Sequence, residues 1–423
     1  MKKIFIYQVL PRFWGNGKFS DWNSDAFKYV KSLGVDHIWF TGVIRHASGE
    51  AFVKGDPGSP YSISDYYDVN PYLADNESNR LDEFTKLLNR THNAGLKAVI
   101  DFVPNHVACN YSDSHGGIPH FDYCDYDWTD TVKIDYSRRD TWAAMLSILR
   151  VWAGLGVDGF RCDMVELVPV DFFNWAIDSI KKEFPELSFI AEVYDKNNYS
   201  RYLKEGHFDF LYDKSGIYDT LRGIVCGGRS AEDLTRNWQS LGEMQPKMLN
   251  FLENHDEQRL ASPFFAGSAD KGYAALAAAA LFNDASFMLY AGQEVGENAS
   301  ESDNGRTSIF NWTNVNVLGR RRGNRTLKRY REILSYLSRP AFRDGGNWDL
   351  CYCNDSEGGF DRTRHFAFLR YNGSECWLTV CNFSETAAEL VIRIPEEAKK
   401  QCHPSKDSIE INVGAYDAAI VRI

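Results

Sequence analysis

Eight short apolar runs are spaced through the first 340 or so residues, and amphipathic stretches separate them. The runs are Ile4–Leu10, His37–Thr41, Leu96–Val103, Val157–Phe160, Ser188–Val193, Phe208–Tyr212, Lys247–Leu252 and Ser286–Tyr290. Each has strand length and is nearly continuous in apolar residues, as a strand buried on both faces must be. The stretches between them include Asp25–Leu33, Leu81–Ala94, Thr141–Leu155, Asp171–Phe184, Gly272–Phe282 and Leu327–Leu337. Strand and helix alternating along a chain make a parallel sheet, and eight such units close it into a barrel. The expected class is α/β, a (β/α)8 TIM barrel. Its sixth unit, around Gly216 to Leu241, is the least regular.

Two connections are too long for simple βα turns. Gly42 to Arg80 contains Asp56-Pro57-Gly58-Ser59-Pro60 and is rich in Tyr, and Val107 to Arg138 contains Gly116-Gly117-Ile118-Pro119 with many Asp and Tyr. Both leave from strand C-terminal ends, the face where barrel enzymes build their sites, and long loops there are usually functional. After about residue 342 the pattern becomes all-β. Trp348–Asn354, His365–Tyr371, Cys376–Phe383, Ala387–Ile394 and Asp417–Ile423 have strand character, and Pro395–Lys400 has helical character. The expected layout is a barrel over 1–106 and 139–340, a short inserted subdomain over 107–138, and a C-terminal antiparallel β-sandwich over 341–423.

Net charge is −11, which argues against nucleic acid or an anionic membrane as the partner and suits a neutral ligand. No run of about 18 apolar residues exists to span a membrane. Met1 to Leu10 imitates a signal peptide, but Gln8 interrupts it and Pro11-Arg12 follows with no small-residue cleavage site, so it reads as a first strand. The nine Cys form no C-x-x-C pair and read as reduced thiols, which points to a cytoplasmic protein. The 11 Trp and 22 Tyr serve either a large core or a sugar-binding surface.

Four of the runs end in polar motifs: Asp101-Phe102-Val103-Pro104-Asn105-His106, Gly159-Phe160-Arg161-Cys162-Asp163, Ala191-Glu192-Val193 and Glu253-Asn254-His255-Asp256. Arg161 and Asp163 are two residues apart and so point to one side of a strand. They are either a barrel-end ion pair or an ionised, oriented carboxylate of the kind a glycosidic nucleophile needs. Glu192 lies among apolar neighbours, where a carboxyl group keeps its proton and can donate it; the plainer reading is a strand-end Glu facing water. Asp256 is a third carboxylate, suited to binding sugar hydroxyls and to positive charge on a reacting sugar. His106 and His255 offer hydrogen bonds to the same sugar, or purely structural ones. Asp101 braces the site by bonding Arg161. Asn105 presents a neutral oxygen suited to structural Ca²⁺ or to a backbone contact, with Asp122, Asp125 and Asp127 available nearby. The chemistry itself requires no cofactor.

In their joint order and placement these motifs resemble the α-amylase superfamily, glycoside hydrolase family 13, over essentially the whole chain. The resemblance implies that Asp163 is the nucleophile, Glu192 the general acid/base and Asp256 the transition-state stabiliser. It implies that Arg161, His106 and His255 are motif residues of the sugar site, and that Tyr61 stacks on the sugar being cleaved. Tyr7-Gln8, Gly58-Ser59-Pro60-Tyr61 and Ala291-Gly292-Gln293-Glu294 also match. The implied activity is retaining hydrolysis of α-glucosidic bonds in starch-type glucans or maltooligosaccharides. A transglycosylase or isomerase of the superfamily is the alternative, and a non-catalytic carbohydrate-binding ancillary protein is a third reading.

The chain departs from the family directly after the nucleophile. Many α-amylases have Ala-x-Lys-His there, and this chain has Met164-Val165-Glu166-Leu167. Glu166 and Leu167 are therefore the candidates for an altered leaving-side subsite.

Overall fold

The computed structural model describes residues 3–113, 115–402, 404 and 406–423. Eight parallel strands close into a barrel. They are β1 (Phe5–Val9), β2 (His37–Phe40), β3 (Lys97–Phe102), β4 (Gly159–Cys162), β5 (Ser188–Ala191), β6 (Phe210–Tyr212), β7 (Met248–Phe251) and β8 (Ser286–Tyr290). β1 pairs with both β2 and β8, which completes the ring. Every one of the eight apolar runs supplies one of these strands. The register sets Asp101 of β3 beside Arg161 of β4, and Arg161 beside Ile190 of β5.

Helices wrap the barrel where the amphipathic stretches lie. Asn23 caps the first, Ser24–Lys31, by accepting from the N–H groups of Asp25 and Ala26, which would otherwise lack partners. Gly156 ends Arg139–Leu155 at φ 106°, a left-handed conformation that glycine adopts without a Cβ penalty. The sixth unit has no single helix. A π-helical turn over Lys214–Tyr218 runs into the helix Asp219–Val225, and a second helix follows over Glu232–Leu241. The buried carboxylate of Asp213 anchors this region, accepting from Tyr199 Oη at 3.3 Å and Asn237 Nδ2 at 3.1 Å.

Both long connections fold into hairpins over the C-terminal mouth of the barrel. After β2, Ile44–His46 pairs with Ile63–Val69; after β3, His106–Ala108 pairs with Thr131–Lys133. Asn70 Nδ2 holds the first hairpin by donating to the carbonyls of Gly42 and Ile44 at 2.9 Å each. Tyr66 fixes it to the strand-three motif by donating to the carbonyl of Val103.

The C-terminal region contains a four-stranded antiparallel sheet of β9 (Gly346–Asp349), β10 (His365–Asn372), β11 (Glu375–Asn382) and β14 (Ala418–Arg422). A two-stranded sheet of β12 (Ala388–Arg393) and β13 (Ser408–Val413) accompanies it. Two details differ from the sequence reading. The expected strand Trp348–Asn354 stops at Asp349, because Asp349 accepts the N–H of Cys351 at 2.8 Å and starts a helical turn over Cys351–Asn354. β13 went unrecognised, although Ile409, Ile411 and Val413 alternate with polar residues as a one-sided strand requires. The alanine-rich helix Tyr273–Leu281 is buried along Ala274–Leu281. Phe282, just beyond it, packs on Phe366 and Phe368 of β10 with ring centroids 4.7 and 5.2 Å apart.

Candidate active site

The polar motifs converge because each follows a barrel strand at its C-terminal end. Asp163 and Glu192 extend the ladder one step past their strands: Asp163 N donates to Phe102 O at 2.9 Å and Glu192 N to Cys162 O at 3.1 Å. The strand-seven motif is shaped by its first two residues. Glu253 is buried, where it accepts from Arg259 Nη1 at 2.9 Å and Leu260 N at 2.7 Å. Burial raises its pKa to about 7. Asn254 Oδ1 accepts from the N–H groups of Asp256 and Glu257 at 2.8 and 2.9 Å, forming the turn that carries His255 and Asp256.

Arg161 is the centre of the site and is fully buried. Its Nη1 lies 2.7 Å from Asp163 Oδ1 and 3.7 Å from Asp101 Oδ1, and its Nη2 forms an ion pair with Glu192 Oε1. The rings of Trp39, Tyr61 and Tyr212 surround the guanidinium, with centroids 5.4, 5.3 and 5.5 Å from its carbon. Those π-faces favour a cation in a place that excludes water.

Three carboxyl groups, Asp101, Asp163 and Glu192, share this one guanidinium, Asp256 lies within its field, and in a desolvated cluster the four cannot all ionise. Burial raises the pKa of Asp101 to about 6, against the pull of Arg161. Burial likewise raises Asp163, opposed by Arg161 and by a hydrogen bond from Glu192. Arg161 and the loss of water thus act on Asp163 in opposite directions. Burial raises Glu192 too, and the charge of Asp163 adds to it. Both shifts favour a proton shared by this pair of carboxyl groups. Desolvation and the Glu192 carboxyl push Asp256 well up.

Glu192 is held by three further groups. Its Oε2 accepts the N–H of Met164 at 2.9 Å and its Oε1 the hydroxyl of Tyr194 at 3.0 Å. Met164 reaches it from a left-handed backbone at φ 43°, an uncommon conformation for a non-glycine residue. Tyr194 follows Glu192 by two residues and points to the same side, a relation visible in the sequence but not used there.

Tyr61 and His255 form the opposite wall. Their rings stack at 5.2 Å, and Tyr61 Oη lies 2.5 Å from His255 Nε2 and 3.2 Å from Asp101 Oδ1. Gln8 Nε2 donates to His255 Nδ1 at 2.7 Å, which assigns the ring proton to Nε2. His255 Nε2 also lies 3.1 Å from Asp256 Oδ2. Burial, reinforced by Arg161, keeps His255 neutral, and burial lowers His106 to about 4.

A cavity of about 590 Å³ opens over Asp163, Glu192 and Asp256, and Tyr61 and His106 also line it. Tyr126 and Trp128 of the 107–138 segment form part of its rim, with Arg306 and Phe310 from the loop after β8. On the Tyr194 side it is lined by Lys214 and Glu257. The Lys214 ammonium lies 3.2 Å from Asp219, 3.7 Å from Glu257 and 5.9 Å from the Tyr194 ring centroid.

Glu166 and Leu167 do not line this cavity. Glu166 turns toward the loop after β5, accepting from Tyr194 N at 2.8 Å and from Asn198 Nδ2 at 2.7 Å. It therefore braces the backbone that carries Tyr194. Leu167 ends a short 3-10 turn, Val165–Leu167, and is half-buried. The cation on this side comes from Lys214, at the end of another strand.

Asn105, the residue named for a structural cation, belongs to a side-chain cluster at the base of the 107–138 segment. Its Nδ2 donates to Asp125 Oδ2 at 2.8 Å, and Lys133 Nζ lies 2.9 and 2.8 Å from the two oxygens of Asp125. Among the described residues no three His, Cys, Asp or Glu side chains are grouped to hold a metal. Asp127 lines the cavity instead, and Asp122 is exposed.

The profile described as "Alpha amylase, catalytic domain" matches residues 19–132 and 120–378. Alpha-amylase MalA of Haloarcula japonica is 29% identical over 321 residues, which is 70% of this chain and 45% of that protein. Alpha-amylase 3 of Dictyoglomus thermophilum is 24% identical over 74% of this chain and 68% of its own length. The chain thus spans about half the length of the first of these relatives. Among solved structures, an alpha-amylase from Lactobacillus plantarum superposes with a TM-score of 0.77 at 20% identity, covering 100% of this chain and 98% of that one. Cyclic alpha-maltosyl-(1→6)-maltose hydrolase from Arthrobacter globiformis reaches 0.79 at 16% identity, over 99% of this chain and 98% of the other. With the barrel, the order of its motifs and the profile match in agreement, the chain belongs to the alpha-amylase family.

Proposed function

We propose that this protein is a retaining glycosidase acting on α-glucosidic bonds of starch-type glucans or maltooligosaccharides. The observation that carries the reading is the buried Arg161 shared by Asp163 and Glu192 beneath a sugar-sized cavity. In the first step an Asp163 oxygen bonds to the anomeric carbon as the glycosidic C–O bond breaks. Glu192 passes its proton to the departing oxygen. In the second step Glu192 takes a proton from water, the water oxygen bonds to the anomeric carbon, and the Asp163 carboxylate leaves. Asp256, His255 and His106 bind sugar hydroxyls, and Tyr61 presents its ring to the sugar under attack.

The leaving side follows from the position of the acid. The group that protonates the departing oxygen must face it, so the Tyr194 and Lys214 wall beyond Glu192 receives the leaving sugar. In this reading Asn105 binds no Ca²⁺, because the Lys133 ammonium already neutralises Asp125. The cytoplasm fits nine cysteines without a disulfide. No helix among the described residues is long and apolar enough to cross a membrane.

The test is release of reducing sugar from maltoheptaose by the wild type and by Asp163→Asn, with products separated by chromatography. Hydrolysis by the wild type and its loss in the variant are expected. Unchanged release by the variant would refute the assignment, and products longer than the substrate would favour the transglycosylase reading.

A further inference from the structure

A second concave surface, which shares no lining residue with the catalytic cavity, lies where the sixth barrel unit meets the C-terminal sheet. It encloses about 420 Å³, somewhat less than the catalytic cavity. Trp238 and Gln239 of the helix Glu232–Leu241 form one wall. Trp348, Tyr352 and Tyr371 form the other, from β9, the following helical turn and the end of β10.

The chemistry of this groove selects its ligand. Four aromatic side chains meet around a small volume, and Tyr352 is 49% exposed. Three amide side chains, Gln239, Asn347 and Gln401, also line the groove, and no Lys or Arg does. The one carboxylate in the lining, Asp349, is already engaged by Thr235 Oγ1 and Cys351 N. The Arg362 guanidinium, 4.9 Å from the Tyr352 ring, is paired with Asp355 and Glu232, so neither an anion nor a cation finds a free counter-charge here. Aromatic faces beside neutral amides suit a ring with apolar C–H faces and hydroxyl edges. The Asn347 amide nitrogen adds an independent sign, since it is shielded from solvent and has no hydrogen-bond partner. Burying such a donor without an acceptor is costly, and a turn of the side chain into the groove would let a sugar hydroxyl accept from it.

We propose that this groove is a non-catalytic binding site for a segment of α-glucan chain. Trp238, Trp348 and Tyr352 stack on sugar faces, and Asn347 and Gln239 bond hydroxyls. Its choice of ligand rests on the glucan reading of the catalytic cleft. Because none of its residues lines that cleft, it holds the enzyme on a long substrate without touching the bond being cut.

The test is isothermal titration of maltoheptaose into the full-length Glu192→Gln protein, in which turnover is blocked, and into the same protein carrying Tyr352→Ala and Gln239→Ala. Both added positions are exposed, so the fold is retained, and unchanged thermal unfolding checks this. Two binding sites are expected in the parent. In the triple variant the second is expected to weaken by about tenfold or more, the usual cost of removing an aromatic anchor. With an active cleft, Tyr352→Ala/Gln239→Ala should hydrolyse maltotriose at the wild-type rate and show a raised KM on soluble starch. A single site in the parent that Tyr352→Ala and Gln239→Ala leave unchanged, or the same two sites in both proteins, would overturn the proposal. A single site in the parent that these two substitutions weaken would count against the catalytic reading and leave the groove standing.

Discussion

Asp163 and Arg161 form a 2.7 Å pair inside the barrel, and the same guanidinium forms an ion pair with Glu192 through its other terminal nitrogen. Nucleophile and acid are thereby tied to one buried charge. Arg161→Met would leave the carboxyl groups without their cation, and they would take up protons to avoid uncompensated charge. The variant should lose about 3–5 kcal/mol of unfolding free energy. Its maltooligosaccharide hydrolysis should fall by at least about 10³-fold, chiefly in kcat. Denaturant unfolding and steady-state kinetics check the two parts.

His106 sets a pH dependence of stability. Its folded pKa is about 4, against an ordinary value of 6.5, because burial disfavours the charged ring. The unfolded chain therefore binds a proton that the folded one refuses, and stability present above pH 6.5 is lost as pH falls toward 4. The size of this contribution is on the order of 3 kcal/mol. His106→Gln has no such proton to refuse. Its unfolding free energy should fall less than that of the wild type between pH 7 and pH 4, as denaturant titrations at a series of pH values would record.

Lys214 is predicted to act on the leaving side. Lys214→Ala should raise KM for maltotriose and longer substrates by about tenfold, the cost of one lost charged hydrogen bond. Hydrolysis of α-glucosyl fluoride, which has no leaving sugar, should stay near the wild-type rate. Equal losses on both substrates would place Lys214 elsewhere in the mechanism.

The Asn105–Asp125–Lys133 cluster predicts indifference to chelators. Thermal unfolding and activity should be the same with and without EDTA. Lys133→Met should cost on the order of 1–2 kcal/mol, since the pair with Asp125 is only partly exposed. Calcium restoring the stability of wild-type protein after EDTA treatment would contradict this.

All eight barrel strands were legible because a strand buried on both faces must be almost uniformly apolar, and such runs stand out. The polar residues that end them were legible for the same reason. Long-range bonds were not. The π-helical turn that delivers Lys214 depends on Asp213 meeting Tyr199 and Asn237, and no local spacing encodes that. Lys214 itself was visible as a charge just past an apolar run, with nothing in the sequence to link it to Asp163. Glu166 was misleading for a local reason. Nearness to Asp163 in sequence suggested the cleft, but the left-handed turn at Met164 lies between them, and the Glu166 carboxylate goes to the Tyr194 loop.

The central claim is that Asp163 attacks the sugar with Glu192 as its acid. The most direct measurement is the mass of the intact protein after incubation with 5-fluoro-α-glucosyl fluoride, which forms the glycosyl-enzyme quickly and releases it slowly. The account predicts a mass gain of one fluoroglucosyl group, mapped by peptide sequencing to Asp163 and absent from Asp163→Asn. A label on another carboxylate, or an unchanged mass while the same compound is turned over, would contradict it.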